Sequence, residues 1–139
     1  MTVQLIRARE LFGGAPYAYA AVGAVRADEL VFTAGACPLD DEGRVVGDGD
    51  VRVQAAQAVA NLATALAAAG ATLTDVLKST IYVASADRAD LVAAWDVISA
   101  EFGAHDAPST LLGVTVLGYP GQLVEIEAVA VAGPVAAGS

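Results

Sequence analysis

The chain is poor in the residues from which metal and nucleophilic centres are built. One histidine, His105, and one cysteine, Cys37, stand among 139 residues. A single cysteine excludes an intrachain disulfide. One histidine with one cysteine cannot supply the usual zinc ligand set, so no metal site is expected. Basic residues are scarce too, 7 against 16 acidic, for a formal charge of −9. A surface of that sign repels phosphate, so neither a nucleic acid nor an anionic membrane is an expected partner. The glycines of Gly47-Asp48-Gly49-Asp50 come without a P-loop lysine and with added negative charge. No long hydrophobic run is present. The most apolar stretch, residues 55–71, is mainly alanine broken by Gln57, Asn61, Thr64 and Gly70, too short and too polar to cross a bilayer. The opening MTVQLIRARELFGG lacks the apolar centre of a secretory signal. No internal repeat or linker is visible. The expectation is a soluble cytoplasmic protein in which residues 1–139 form one domain.

What is present is apolar material in excess. Hydrophobic residues make up 56% of the chain and the mean hydropathy is +0.58. Surplus apolar surface on a chain this small usually ends in a subunit interface, so an oligomer is expected. Thr2 to Arg7 alternates as a strand, Tyr17 to Val25 reads as a second strand of small residues, and Arg26-Ala27-Asp28 as a hairpin turn. Leu30-Val31-Phe32-Thr33-Ala34-Gly35 is strand-like by its branched and aromatic content, and Gly35 within it predicts a bulge or a close backbone approach. Residues 38–49 form a loop with an acidic turn at Asp40-Asp41-Glu42-Gly43. Asp50 reads as an N-cap and Gly70 as the residue past a helix end, with Val59, Leu62 and Leu66 on one face between them. Ser79 to Val83 reads as a strand. Ser85-Ala86-Asp87 opens a second helix, striped by Leu91, Trp95, Ile98 and Phe102 and closed by Gly103. Ala107 to Val131 supplies two more strands around Gly118-Tyr119-Pro120-Gly121. The fold class is therefore α+β, a mixed sheet of about six strands with two helices on one face.

The last strand carries the sharpest chemical signal. Val124, Ile126, Ala128 and Ala130 form one apolar face, while Glu125 and Glu127 lie on the other. Two carboxylates there are either a solvated or cross-strand-paired face, or the wall of a cleft in which a carboxylate holds water and moves protons. Ser109 either caps local backbone or serves a site, with no base adjacent in sequence to activate it. His105, beside Asp106, reads as a surface or hydrogen-bonded structural histidine. Cys37, between a strand and Pro38, reads as a small buried hydrophobe or, alternatively, a nucleophile. Tyr17, after Pro16, suits a pocket wall or a packed rim.

Several of these segments together resemble the RidA/YjgF family: Ala15-Pro16-Tyr17, Leu30 to Gly35, Lys78-Ser79-Thr80-Ile81-Tyr82-Val83 and, most specifically, Val124 to Val131. The resemblance covers almost the whole chain in order and spacing. It implies a chorismate-mutase-like α+β fold and a homotrimer with clefts between subunits. It also implies cofactor-independent hydrolysis of enamines or imines such as 2-aminoacrylate, giving a ketoacid and ammonia. Carried over by position, the catalytic glutamate is Glu125, which would orient water. The tyrosine is Tyr17, the strand glycine Gly35, and the substrate-gripping run contains Ser109 and Thr110.

The chain departs from the family pattern at three places. Ala34 replaces the serine before the glycine, Leu111 a cysteine, and Ser109 the arginine that clamps the substrate carboxylate. A guanidinium grips a carboxylate through two charged hydrogen bonds of about 1.5–3 kcal/mol each, whereas serine offers one neutral donor. Unless Arg7 or Arg26 supplies a cation, the expectation is a branch with altered preference, acting poorly on 2-aminoacrylate-type anions and better on a neutral or less anionic imine, enamine or related metabolite. The alternative is a non-catalytic trimer that binds a small metabolite in the same clefts. Ribonuclease activity, also attached to this family, is disfavoured by the charge.

Overall fold

The structure, a computed structural model, describes residues 3–23 and 29–133. Among the described residues six strands and two α-helices follow one another as β1 (Val3–Ile6), β2 (Ala20–Gly23), β3 (Leu30–Phe32), α1 (Val51–Ala68), β4 (Val76–Val83), α2 (Arg88–Phe102), β5 (Ser109–Gly113) and β6 (Val124–Val131). The strands divide into an antiparallel β1–β2 ribbon and a mixed four-stranded sheet ordered β3-β6-β4-β5. This is the α+β class with the expected six strands and two helices, split into four and two. The proposed turn at residues 26–28, with Arg26, lies outside the described residues.

The helices form where the caps and stripes predicted. Asp50 accepts from the backbone N–H groups of Arg52 and Val53, and Asp87 does the same for Ala89, satisfying donors that the first helical turn leaves open. Gly70 and Gly103 follow the helix ends with positive φ of 83° and 62°, which a side chain would strain. Leu62 and Leu66 of α1 and Ile98 of α2 are fully buried with Ile81, Val83, Val124 and Ile126. The core thus lies between the helices and one face of the sheet, and Val124, Ile126, Ala128 and Ala130 supply that face as their alternation requires.

One feature of the topology was not visible locally. β5 and β6 follow one another in sequence, yet β4 stands between them, antiparallel to β6 and parallel to β5. The intervening segment, residues 114–123, rounds the C-terminal end of β4 and makes its turn where Gln122 N–H donates to Tyr119 C=O. β5 ends at Gly113. β5 is left as an edge strand and β6 is central, which places Glu125 and Ser109 two strands apart.

Candidate functional site

Alternation puts Glu125 and Glu127 on the sheet face away from the helices. Register sets Tyr82 opposite Glu125 and Thr80 opposite Glu127. The two acids are held differently. Glu127 accepts from the Tyr82 hydroxyl at 3.0 Å. That bond, with burial, pushes the phenol above its ordinary value, because ionising it would place two negative charges together. Glu125 is gripped from the chain behind it. Gln122 Nε2 donates to Glu125 Oε1 at 3.1 Å and Cys37 Sγ donates to the same oxygen at 3.3 Å. The other oxygen, Oε2, lies over Gly35, where an added Cβ would come within 2.1 Å of it. The close approach expected at Gly35 is therefore real, and its object is the carboxylate.

The two partners of Glu125 are themselves fixed. Gln122 is buried; its Nε2 also donates to Val124 C=O and its Oε1 accepts from Tyr119 N–H. Both of its N–H donors and its carbonyl oxygen go into holding the turn and the acid. Cys37 is half-buried rather than a core residue. Burial, then the hydrogen bond and charge of Glu125, push its thiol up to about 11. A thiol so protonated is no nucleophile at neutral pH, so neither reading offered by the sequence describes it. It is a neutral donor to Glu125.

Tyr17, Ser109 and Thr110 come together elsewhere. With Pro16, Trp95 and Leu111 they line an open cleft of about 420 Å³ beside edge strand β5. Tyr17 meets the Trp95 ring edge-on at 6.5 Å and the Tyr19 ring at 5.6 Å, which fixes the wall. Ser109 Oγ donates to Ala107 C=O at 3.0 Å and lies 2.5 Å from Ser79 Oγ. Its single proton is committed to local backbone, and Ser79 donates to it. Thr110 points to the opposite face, where its hydroxyl accepts from Lys78 Nζ at 2.5 Å. Glu125 and Gly35 are not among the residues lining this cleft. Within one chain, Glu125 with Gly35 stands apart from the cleft of Tyr17 and Ser109, and Thr110 borders that cleft while its hydroxyl lies on the sheet face that carries Glu125.

The remaining candidates resolve simply. His105 Nε2 is bonded to Val76 C=O at 2.8 Å, a structural role. Arg7 is spent within its own chain, ion-paired with Asp106 and donating to the carbonyls of Ala15 and Tyr17. Among the described residues no three His, Cys, Asp or Glu side chains gather as a metal site, and no helix is long and apolar enough to cross a membrane. Sequence reading missed Gln122, Cys37 as a partner of Glu125, and Trp95 as a cleft wall. The three-residue offset of Gln122 from Glu125 across a turn carries no motif, and Cys37 lies 88 residues away.

Known proteins match this architecture. The family model described as endoribonuclease L-PSP matches residues 14–132. A RutC family protein of Pyrococcus abyssi is 32% identical over 108 residues, 77% of this chain and 82% of that one. A goat protein named 2-iminobutanoate/2-iminopropanoate deaminase is 34% identical over 116 residues, 84% of this chain and 82% of that one. A crystal structure from Yersinia pestis, described as a conserved Rid family protein of unknown function, superposes with a TM-score of 0.87 at 31% identity, covering 94% of this chain and 99% of that one. Fold, span and identity agree, and the chain belongs to the RidA/YjgF family.

Proposed function

We propose that the protein is a cofactor-independent hydrolase of a small imine or enamine, with Glu125 as its acid–base group. The observation that carries this reading is the posture of Glu125. Gln122 and Cys37 occupy one carboxylate oxygen, and the other lies over a glycine. A carboxylate fixed in this way can accept a proton from water as the water oxygen attacks the C=N carbon. That proton passes to nitrogen, giving a carbinolamine; its hydroxyl proton then follows to nitrogen through the same carboxylate as the C–N bond breaks, and a carbonyl compound and ammonia leave. The name of the goat relative supports this reaction class.

The preference is altered, because position 109 carries a serine whose hydroxyl is already bonded within the chain. The acid and the cleft are brought together by association of copies into a homotrimer with sites between subunits. The outer sheet face supports such packing: Phe32, paired with Val129, is 71% exposed there, and Leu112, paired with Tyr82, is 41% exposed. Separation of Glu125 from the Tyr17 cleft in one chain equally favours the second reading, a trimer that binds a metabolite without turning it over.

The test is ammonia release from a panel of freshly generated imines, charged and neutral. Glu125→Gln is expected to lose at least about a hundredfold in turnover while keeping its fold and assembly. Full activity in that variant defeats the role of Glu125. Binding of a panel member by thermal shift without turnover by the wild type establishes the second reading instead.

A further inference from the structure

We propose that Gln54, on the opening turn of α1, is a positioning residue for Glu125: it clamps the backbone on both sides of Gln122, and through Gln122 it holds the Glu125 carboxylate in place. This rests on the reading of Glu125 as the acid–base group, and it names what sets that group's posture.

Gln54 is 0% exposed. An amide so deeply buried costs free energy unless its polar atoms are bonded. Here they are bonded to backbone. Gln54 Nε2 donates to Gly121 C=O at 3.0 Å and to Gly47 C=O at 3.1 Å, and Oε1 accepts from Leu123 N–H at 2.7 Å. Gly121 and Leu123 flank Gln122. Gly47 belongs to the loop that leads into α1. Gln54 is itself anchored, since its own backbone N–H donates to Asp50 C=O at 3.0 Å.

The sheet does not fix this stretch. β6 begins at Val124, and its outermost rung on β4 pairs Val124 with Val83. Residues 121–123 precede the ladder. Ala84 N–H holds the Leu123 carbonyl at 2.8 Å, and the Leu123 N–H and the Gly121 carbonyl go to Gln54. A strand ladder sets the backbone of Glu125 but leaves its side-chain torsions to other contacts. Those contacts are Gln122 Nε2 and Cys37 Sγ on Oε1. Gln122 offers its amide there only while its own backbone stays put. With both flanks released, the turn and the amide move together. A side chain on the core side of the sheet thus sets the posture of a carboxylate on the outer side. Gln54 is not among the residues lining the Tyr17 cleft, so it acts on the chemical step and little on substrate binding.

Ammonia release is measured for Gln54→Leu, Gln54→Glu, Gln122→Ala and the double variant Gln54→Leu/Gln122→Ala. Leu62→Ala, about two turns further along α1, is the control for lost stability. In Gln54→Leu, kcat is expected to fall at least about tenfold with KM within about twofold of wild type. Gln54→Glu keeps the acceptor for Leu123 N–H and should lose less. In the double variant kcat should match Gln122→Ala within about twofold, because the two side chains act in series. The Gln122 side-chain amide, assigned in NMR spectra by its loss in Gln122→Ala, reads the same link without turnover. Its two N–H signals should move in Gln54→Leu toward those of an exposed glutamine and stay in place in Leu62→Ala. The proposal is overturned if the amide signals are unmoved in Gln54→Leu or if the two single kcat losses multiply in the double variant. An equal loss of kcat in Leu62→Ala at matched stability overturns it too. If Gln54→Leu fails to fold, Gln54→Glu carries the same comparisons. Glu125→Gln is measured alongside. Retained turnover in that variant would sink the catalytic reading, while moved amide signals would leave the link from Gln54 to Gln122 standing.

Discussion

Two regions of this molecule meet the chemistry of water and ligand in opposite ways. Around Glu125 everything is closed and prearranged, with Gln122, Cys37 and Gly35 fitting one carboxylate from three sides. Around Tyr17 and Ser109 the chain is open, a cleft against an edge strand whose serine has turned inward to its own backbone. The closed region is built to hold one group in one place, as an acid–base residue must be held. The open region is half of a wall. On the proposed function, a chain that keeps the first and loosens the second would retain its chemistry while its choice of substrate changes.

The comparison breaks most sharply at Gly35. Gly35→Ala places its methyl, in ideal geometry, 2.1 Å from Glu125 Oε2, and the flexible carboxylate is what must give way. Turnover should fall about a hundredfold or more, while the fold loses only the hydrogen bonds to Oε1, about 1–2 kcal/mol. Steady-state kinetics beside a urea melt separates the two effects; activity near wild type would mean that the posture of Glu125 does not matter. Gln122→Ala comes next. It strands the Tyr119 N–H and the Val124 carbonyl and frees Glu125, so a stability loss of about 1–3 kcal/mol is expected by denaturant unfolding. A loss no larger than that of an exposed control substitution would show that the turn does not depend on it.

The smallest effect belongs to Cys37 and is confined to alkaline pH. Its folded-state value, about 11, exceeds the ordinary 9.0, so the folded protein binds this proton more tightly than the unfolded chain. The resulting stability is fully present below pH 9 and is lost as pH rises from 9 through 11. Melting temperatures of wild type and Cys37→Ala should therefore run parallel from pH 6 to 8.5. The wild type should then fall relative to the variant; parallel curves up to pH 11 would remove Glu125 as the acceptor of the thiol proton. Tyr82, also shifted upward, is present in both proteins and cancels in the difference.

What could be read in advance was whatever short-range rules encode. The caps at Asp50 and Asp87 are side chains bonding backbone two or three residues away. The helix stripes and the outward face of Glu125 and Glu127 follow from periods of 3.6 and 2. Gly35 announced itself because a glycine closing a strand-like run leaves room for something, although β3 itself ends at Phe32. Cys37 was misread because its partner lies 88 residues away. The bond of Ser109 to local backbone was one of its two readings, but its contact with Ser79 was not, because Ser79 comes from a different strand.

The sequence by itself determined the element order, the core-facing residues, the charge that disfavours nucleic acid, and the family. All of these depend on composition or on neighbours within about one helical turn. Only the tertiary structure decided that β4 stands between β5 and β6, and that Glu125 and the Tyr17 cleft lie apart in one chain. It also brought the lone lysine to Thr110. Strand pairing joins residues tens of positions apart through backbone groups that every residue shares, so the identity of a partner is set by the packing of the whole sheet and not by the side chains it brings together.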